Sequence, residues 1–303
     1  MSKQNDYWKK REEEAQKHYL KTEEEYNKRL KEIYQNMIDS ADTQINAFYS
    51  KYAKNGKMTL ADAKKAVSDA DIKALSRKAK KYVEEKDFSK LANEEMKLYN
   101  TTMKINRLEY LKSQIGIEMV DGFNRLDSEF GKDLTERVTE EFKRQAGILG
   151  EMVGDVSTNA KSIVNASFKN ATFSDRIWMY QDIMKSNLDV LLQRGLIAGD
   201  GAAKLASTLR KSFKVSQRDA ERLMVTELAR VQTEAQKKSL EANGYDEYEF
   251  IGGQADACDI CSSLNGKHFP VKKMMPGTNA PPMHPFADAQ LLHMKILTNT
   301  KIG

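Results

Sequence analysis

Proline is missing from everything that precedes Pro270, and all five prolines of this 303-residue chain fall between Pro270 and Pro285. A proline in a helix interior removes a hydrogen bond and costs ~3 kcal/mol, so so long a span without one favours continuous helix. Cysteine is nearly absent too: Cys258 and Cys261 are the only two. The opening "MSKQNDYWKKREEE" lacks the apolar stretch of a signal peptide, so the chain is expected to start in a cytoplasm, where a disulfide between them is disfavoured. Aromatic residues make up 8%, which points to helices packed by Leu, Ile, Met and Ala. No window approaches the ~18 continuous apolar residues needed to cross a bilayer, so no membrane association is expected.

Charge is plentiful but uneven. One segment accounts for the whole net +5: Thr158–Arg218 carries ten Lys/Arg against four Asp, an excess of six. Such a stretch fits either an ordinary solvated helical face or a surface for nucleic acid or an acidic protein. The acidic residues stand mostly in i, i+4 register with Lys or Arg, the pattern of solvated helices.

Periodicity supports helix. Tyr26, Leu30, Ile33, Met37, Ala41, Ile45, Phe48 and Tyr52 follow steps of three and four, drawing one apolar stripe, with Lys28, Arg29, Lys31, Glu32 and Asp39 opposite. Thr59 is placed to cap a helix with Asp62 in its first turn. Helix is expected again from about Asp87 to Gly150, with soft breaks at Gly116, Gly122 and Gly131 and a hinge at Gly147, Gly150 and Gly154. A further helix is expected from a Ser174 cap to Gly195, and after a turn at Gly199–Gly201 the helix resumes. The next helix is expected to begin at a Ser216 cap and end at Asn243-Gly244, a left-handed C-cap pair. Ala220, Leu223, Met224, Leu228 and Val231 form its buried stripe, with Thr226, Glu227 and Arg230 as an adjoining polar cluster. "YDEYEFIGG" then reads as a short strand or two.

The unusual chemistry is concentrated in "ACDICSSLNGKHF…PPMHPFADAQLLH". Cys258-Asp259-Ile260-Cys261 is the C-x-x-C half of many zinc sites, since two thiolates two residues apart on a turn grip one ion with little strain. A redox pair would need an alternating strand–helix domain, which nothing upstream provides; two thiols on a loop is the plain alternative. His284 is the candidate third ligand and His268 or Asp288 a fourth, at irregular spacing. Asn265-Gly266 reads as a tight hairpin turn with Leu264 and Phe269 anchoring its arms. Pro281-Pro282 and Pro285 stiffen the approach to His284. No phosphate loop, H-E-x-x-H or serine elbow occurs, so no enzymatic role is expected. The fold class expected is mainly α: long amphipathic helices followed by a small α+β Cys/His turn-rich C-terminal module.

The helix containing T-E-x-A-R, followed by "CDICSSLNGKHF" and "PPMHPF", resembles the phage minor head protein family, the head morphogenesis proteins similar to the F protein of phage Mu. "YWKKREEEAQKHYLKTEEEYNKRLKEIY" is similar to the long helical arm of its Gram-positive phage members. The resemblance implies a structural protein inside the virion head near the portal, present in the host cytoplasm during assembly. Its implied partners are the portal protein, scaffold or major capsid protein, and double-stranded DNA. It implies a metal module at Cys258, Cys261 and His284, with Thr226, Glu227, Arg230, Asn265, Gly266 and Pro282 as motif residues. On this reading 1–150 is a helical arm or bundle, 151–215 a basic helical linker and 216–286 the head morphogenesis module. A stand-alone zinc-dependent nucleic-acid-binding module is the alternative.

Two departures stand out. Val225 occupies a position where the family often has arginine. After H-P-x the family continues Cys-Arg-Cys, whereas this chain reads Ala287-Asp288-Ala289-Gln290-Leu291-Leu292. Restoring one T after the Phe286 codon opens a frame that can read Cys-Arg-Cys-Ser-Thr. Residues 287–303 are therefore expected to be an out-of-frame tail with no selected structure, and zinc binding is expected to be weak or absent.

Overall fold

The computed structural model describes residues 3–63, 65, 77, 80, 84–85, 89–100, 106–251, 259–283 and 293–299. Among these, eight α-helices and three strands form: α1 Lys3–Tyr52, α2 Leu60–Ala63, α3 Lys90–Asn100, α4 Arg107–Leu149, α5 Val156–Val164, α6 Phe173–Ile197, α7 Ala202–Ala242, β1 Tyr245–Ile251, α8 Asp259–Leu264, β2 His268–Pro270 and β3 His293–Asn299. The mainly helical body expected from the missing prolines is present.

The helices run longer than their glycines and caps suggested. Gly116, Gly122 and Gly131 lie within α4 without breaking it. Gly122 serves close approach: a Cβ there would collide with Cγ and Sδ of Met37. Likewise α6 continues past Gly195, whose missing Cβ makes room for Leu205. Ser174 sits inside α6 rather than capping it. Ser216 was the expected start of a helix, but α7 has already run from Ala202 and continues through it. Its hydroxyl is buried and shares a 2.9 Å hydrogen bond with Tyr34. Helix propagates wherever no Pro or Gly stops it, and that stretch contains neither.

The chain divides into two compact units. One comprises residues 1–28, 129–173 and 220–303, the other 29–128 and 174–219. Each is assembled from segments far apart in sequence, because single long helices contribute to both. In the second unit the α1 stripe from Leu30 to Phe48 is buried, as are Leu111, Ile115, Met119 and Phe123 of α4; Tyr34 meets Phe123 edge to face. Burying each such side chain contributes ~1.5–3 kcal/mol. Thr59 caps α2 as expected, accepting the Asp62 amide at 3.1 Å.

In the first unit Phe130 stacks on Phe173, and Leu134, Val138 and Phe142 of α4 are buried with Leu228, Val231 and Ala235 of α7. The three strands form one antiparallel sheet in the order β2-β1-β3. Tyr248 and Phe250 face inward from β1 while Glu247 points outward, the period-2 alternation of a half-buried strand. β3 falls within the tail expected to carry no selected structure. Strand pairing uses backbone groups that any sequence supplies, so a seven-residue stretch there can add to β1 whatever its codon history.

Candidate functional site

The polar cluster on α7 is buried. Glu227 and Arg230 are 1% and 2% exposed, one turn apart, with Arg230 Nε donating to Glu227 Oε2 at 2.6 Å. The guanidinium also donates to the Ile163 carbonyl at 2.9 Å and the Val164 carbonyl at 3.3 Å. These carbonyls belong to the last turn of α5, the negative end of its dipole, where a cation is favoured. The pair therefore clamps α7 to the end of α5 instead of offering charge to solvent. Thr226, grouped with them in the sequence, turns its hydroxyl to the Arg222 carbonyl of its own helix at 2.8 Å.

At the end of α7, Gly244 adopts φ +71°, the left-handed conformation expected of the Asn243-Gly244 cap. Asn243 does more than cap. Its Oδ1 accepts the Glu151 amide and its Nδ2 donates to the Glu151 carbonyl, both at 3.2 Å. One side chain thus imitates a strand partner for the segment between α4 and α5.

Beyond β1 the expected hairpin does not form. Asn265-Gly266 does not join two strands: its first arm is α8 and only its second is a strand, β2. Gly266 has φ +73° and ends the short helix. The chain then folds back on β1, with the Gly266 amide donating to the Phe250 carbonyl at 2.7 Å and the Phe250 amide to the Lys267 carbonyl at 2.9 Å. Leu264 and Phe269 do anchor the two arms, packing on one cluster made by Phe250, Cys261 and Met283. Pro282, expected as a stiffener, is buried with Pro281 and Met283, and its peptide bond to Pro281 is cis.

Of the proposed zinc ligands, Cys258, His284 and Asp288 lie outside the described residues. Cys261 is buried among apolar neighbours. His268 does not join it: on β2 it alternates with Phe269, so it faces solvent while Phe269 faces the cluster. Among the described residues no three His, Cys, Asp or Glu side chains stand close enough to hold an ion. The described residues thus do not make a zinc site by themselves. The fold does bring Met283, the chain neighbour of His284, against Cys261.

A second polar network escaped the sequence reading. Arg137 of α4 is fully buried and donates to Glu23 of α1 at 3.3 Å and to Gln232 of α7 at 3.2 Å, with its guanidinium 4.1 Å from the Tyr19 ring centroid. Glu141, one turn on and equally buried, accepts from Tyr19 at 2.5 Å, Arg144 at 2.8 Å, Gln145 at 2.7 Å and Gln236 at 2.9 Å. Burial raises the Glu23 carboxyl above its ordinary range, opposed by Arg137; burial and then the Glu141 charge raise the Tyr19 phenol. Glu141 stands four residues after Arg137, the i, i+4 register expected of solvated helices, yet both are buried. Their signal was that 137, 141 and 145 run parallel to the apolar line 134, 138 and 142, a polar seam beside the core stripe.

No curated protein and no solved structure matches the chain. Residues 186–288, which hold the end of α6, α7, the Glu227–Arg230 clamp, β1, α8 and β2, match the family model Phage Mu protein F like protein, so this third of the chain is similar to a phage head-related family.

Proposed function

We propose that the protein is a minor, capsid-associated structural component of a phage head, acting in head morphogenesis close to the portal and located in the head interior. The observation that carries this is the match of residues 186–288 to the Phage Mu protein F family. A long helical body in which the buried charges Arg137, Glu141, Glu227 and Arg230 bind one helix to another supports a structural role. The partners proposed are the portal protein and the scaffold or major capsid protein. Co-sedimentation with portal oligomers tests this: a chain that stays in the supernatant with portal, scaffold and capsid protein alike refutes it.

Contact with packaged double-stranded DNA is a further part of the proposal. Lys211, Lys214 and Arg218 are exposed along α7, while Lys204 on the same side pairs with Asp200 at 2.7 Å. Such a face would bind phosphates with affinity that falls steeply as salt rises; affinity unchanged by salt refutes it.

The metal reading rests on Cys258, Cys261 and His284, supported by the packing of Met283 on Cys261. Zinc is a structural clasp in this proposal, and the missing Cys-Arg-Cys weakens it. Metal content is to be compared between this chain and one carrying Cys-Arg-Cys after Phe286. Equal occupancy in both, or none in either, refutes the incomplete-site reading. The gene's codons after Phe286 test the frameshift directly. If zinc loading governed DNA binding of residues 216–286 alone, the stand-alone zinc module would replace the head-protein reading.

A further inference from the structure

Helix α6 is apolar on two opposite sides. Its inner side buries Ile177, Met184, Leu188 and Leu192. Its outer side carries Met179, Ile183, Val190 and Ile197, which are 49%, 50%, 42% and 68% exposed. At about 100° per residue these four fall within roughly 40° of one another, along a line about 27 Å long. They are four of the nine exposed large hydrophobics among the described residues, so scatter does not account for them. Helices with apolar residues on all sides are found buried, and this one leaves its outer stripe to solvent.

The spacing specifies the occupant. Ile183, Val190 and Ile197 recur every seven residues, and Met179, Ser186 and Gln193 fill the alternate seam positions, the two inner rows of a coiled coil. The first row is wholly β-branched, as in two-stranded coiled coils, while the second holds Met, Ser and Gln where leucine is usual. The flanks set the orientation. Asp175, Asp182 and Asp189 form one edge at intervals of seven, and Asn187 and Arg194 lie on the other. An antiparallel copy would set the acidic edge against itself. A parallel copy sets it against the opposite edge, pairing Asp182 with Asn187 and Asp189 with Arg194, twice over by symmetry. Asp189 already holds Lys112 at 2.5 Å and keeps half its side chain exposed, so it can accept from Arg194 as well.

We infer that α6 is the seam of a parallel, two-fold symmetric dimer, in which a second copy of this chain covers the Met179–Ile197 stripe. A seam this short buries less than the ~800 Å² per partner of a stable interface. Association is therefore weak and concentration-dependent, suited to copies gathered in one confined place. The inference stands on the helix face and does not depend on the head-protein reading.

Sedimentation equilibrium of the full chain across the micromolar range reads it out. The chain is expected to pass from monomer to dimer, and Ile183→Glu and Val190→Glu are each expected to raise the dissociation constant at least about tenfold. Both side chains are solvent-facing in the single copy, so thermal melting stays unchanged. Orientation is read by oxidation: Ser186→Cys lies beside its own copy in a parallel seam and forms a linked dimer, whereas Asp182→Cys on the edge does not. A monomer at every concentration overturns the inference, as does a dimer indifferent to both glutamates. Failure of Ser186→Cys to cross-link, or cross-linking of Asp182→Cys at equal rate, overturns the parallel seam.

Discussion

Replacing Arg230 with Met keeps the aliphatic stem and removes the guanidinium. Glu227, 1% exposed, then holds its carboxylate out of water without the cation that stood 2.6 Å away, and the Ile163 and Val164 carbonyls lose their donors. Removing one partner of a buried pair costs ~3–5 kcal/mol, a large part of the ~5–15 kcal/mol that holds an ordinary domain together. Glu227→Gln is milder, at about 1–2 kcal/mol, because a neutral amide oxygen still accepts from Arg230. The double variant Glu227→Leu/Arg230→Met removes both charges, so its cost falls short of the sum for Glu227→Leu and Arg230→Met by about 2–3 kcal/mol. Urea denaturation followed by far-UV circular dichroism measures all of these. Amide exchange adds a local readout, since α5 is released from α7 and Ile163 and Val164 lose protection. A cost below about 1 kcal/mol for Arg230→Met, or strict additivity in the double variant, would refute the clamp.

Other expectations follow from single side chains. Gly122→Ala should destabilise by about 1 kcal/mol net, because the crowding of Met37 outweighs the gain in helix propensity, while Gly147→Ala, with nothing near its Cβ, should stabilise by ~0.5–1 kcal/mol; equal effects on melting would contradict the close approach. Tyr19→Phe removes a donor from buried Glu141 and should cost ~1.5–3 kcal/mol in denaturant titration, with a loss under half a kcal/mol counting against the network. Hydrogen bonds from Lys65 and Thr59 hold the Asp62 carboxyl down to about 2. Its stabilising contribution to the start of α2 is therefore complete above the ordinary Asp range near ~4 and lost as pH falls towards 2. A carboxyl-carbon NMR titration should show this, and Thr59→Ala should move the midpoint back up; an ordinary midpoint in the unaltered chain would refute it.

Much of the body was legible because it depends on local periodicity. The α1 stripe, the α7 stripe from Ala220 to Val231, the Thr59 cap and the Asn243-Gly244 stop are all where three-and-four spacing and cap chemistry put them. Glycines and internal caps misled for a common reason. Whether Gly122 breaks a helix or admits Met37, and whether Ser216 starts a helix or pairs with Tyr34, depends on residues more than 80 positions away. The same distance hid Arg137 and Glu141. Their partners Tyr19 and Gln236 lie on other helices, and beside a lysine-rich sequence a buried charge looks like any solvated one. At the C-terminus, the position of Gly266 as a turn was readable, but a helix as its first arm was not. Three residues on either side of a turn fit strand or helix equally well until Phe250 takes both of the turn's hydrogen bonds.

The sequence by itself determined that this protein is helical nearly throughout, where its longest amphipathic faces lie, and which segment resembles a phage head family. Those properties arise from proline content, apolar spacing and short motifs, all of which act within a few residues. Only the tertiary structure decided that both units draw on the same long helices, that charges at 137, 141, 227 and 230 are internal clamps, and that the outer stripe of α6 stays exposed. A helix turns side chains in every direction, and burial depends on what packs against each direction, which no single stretch of residues contains.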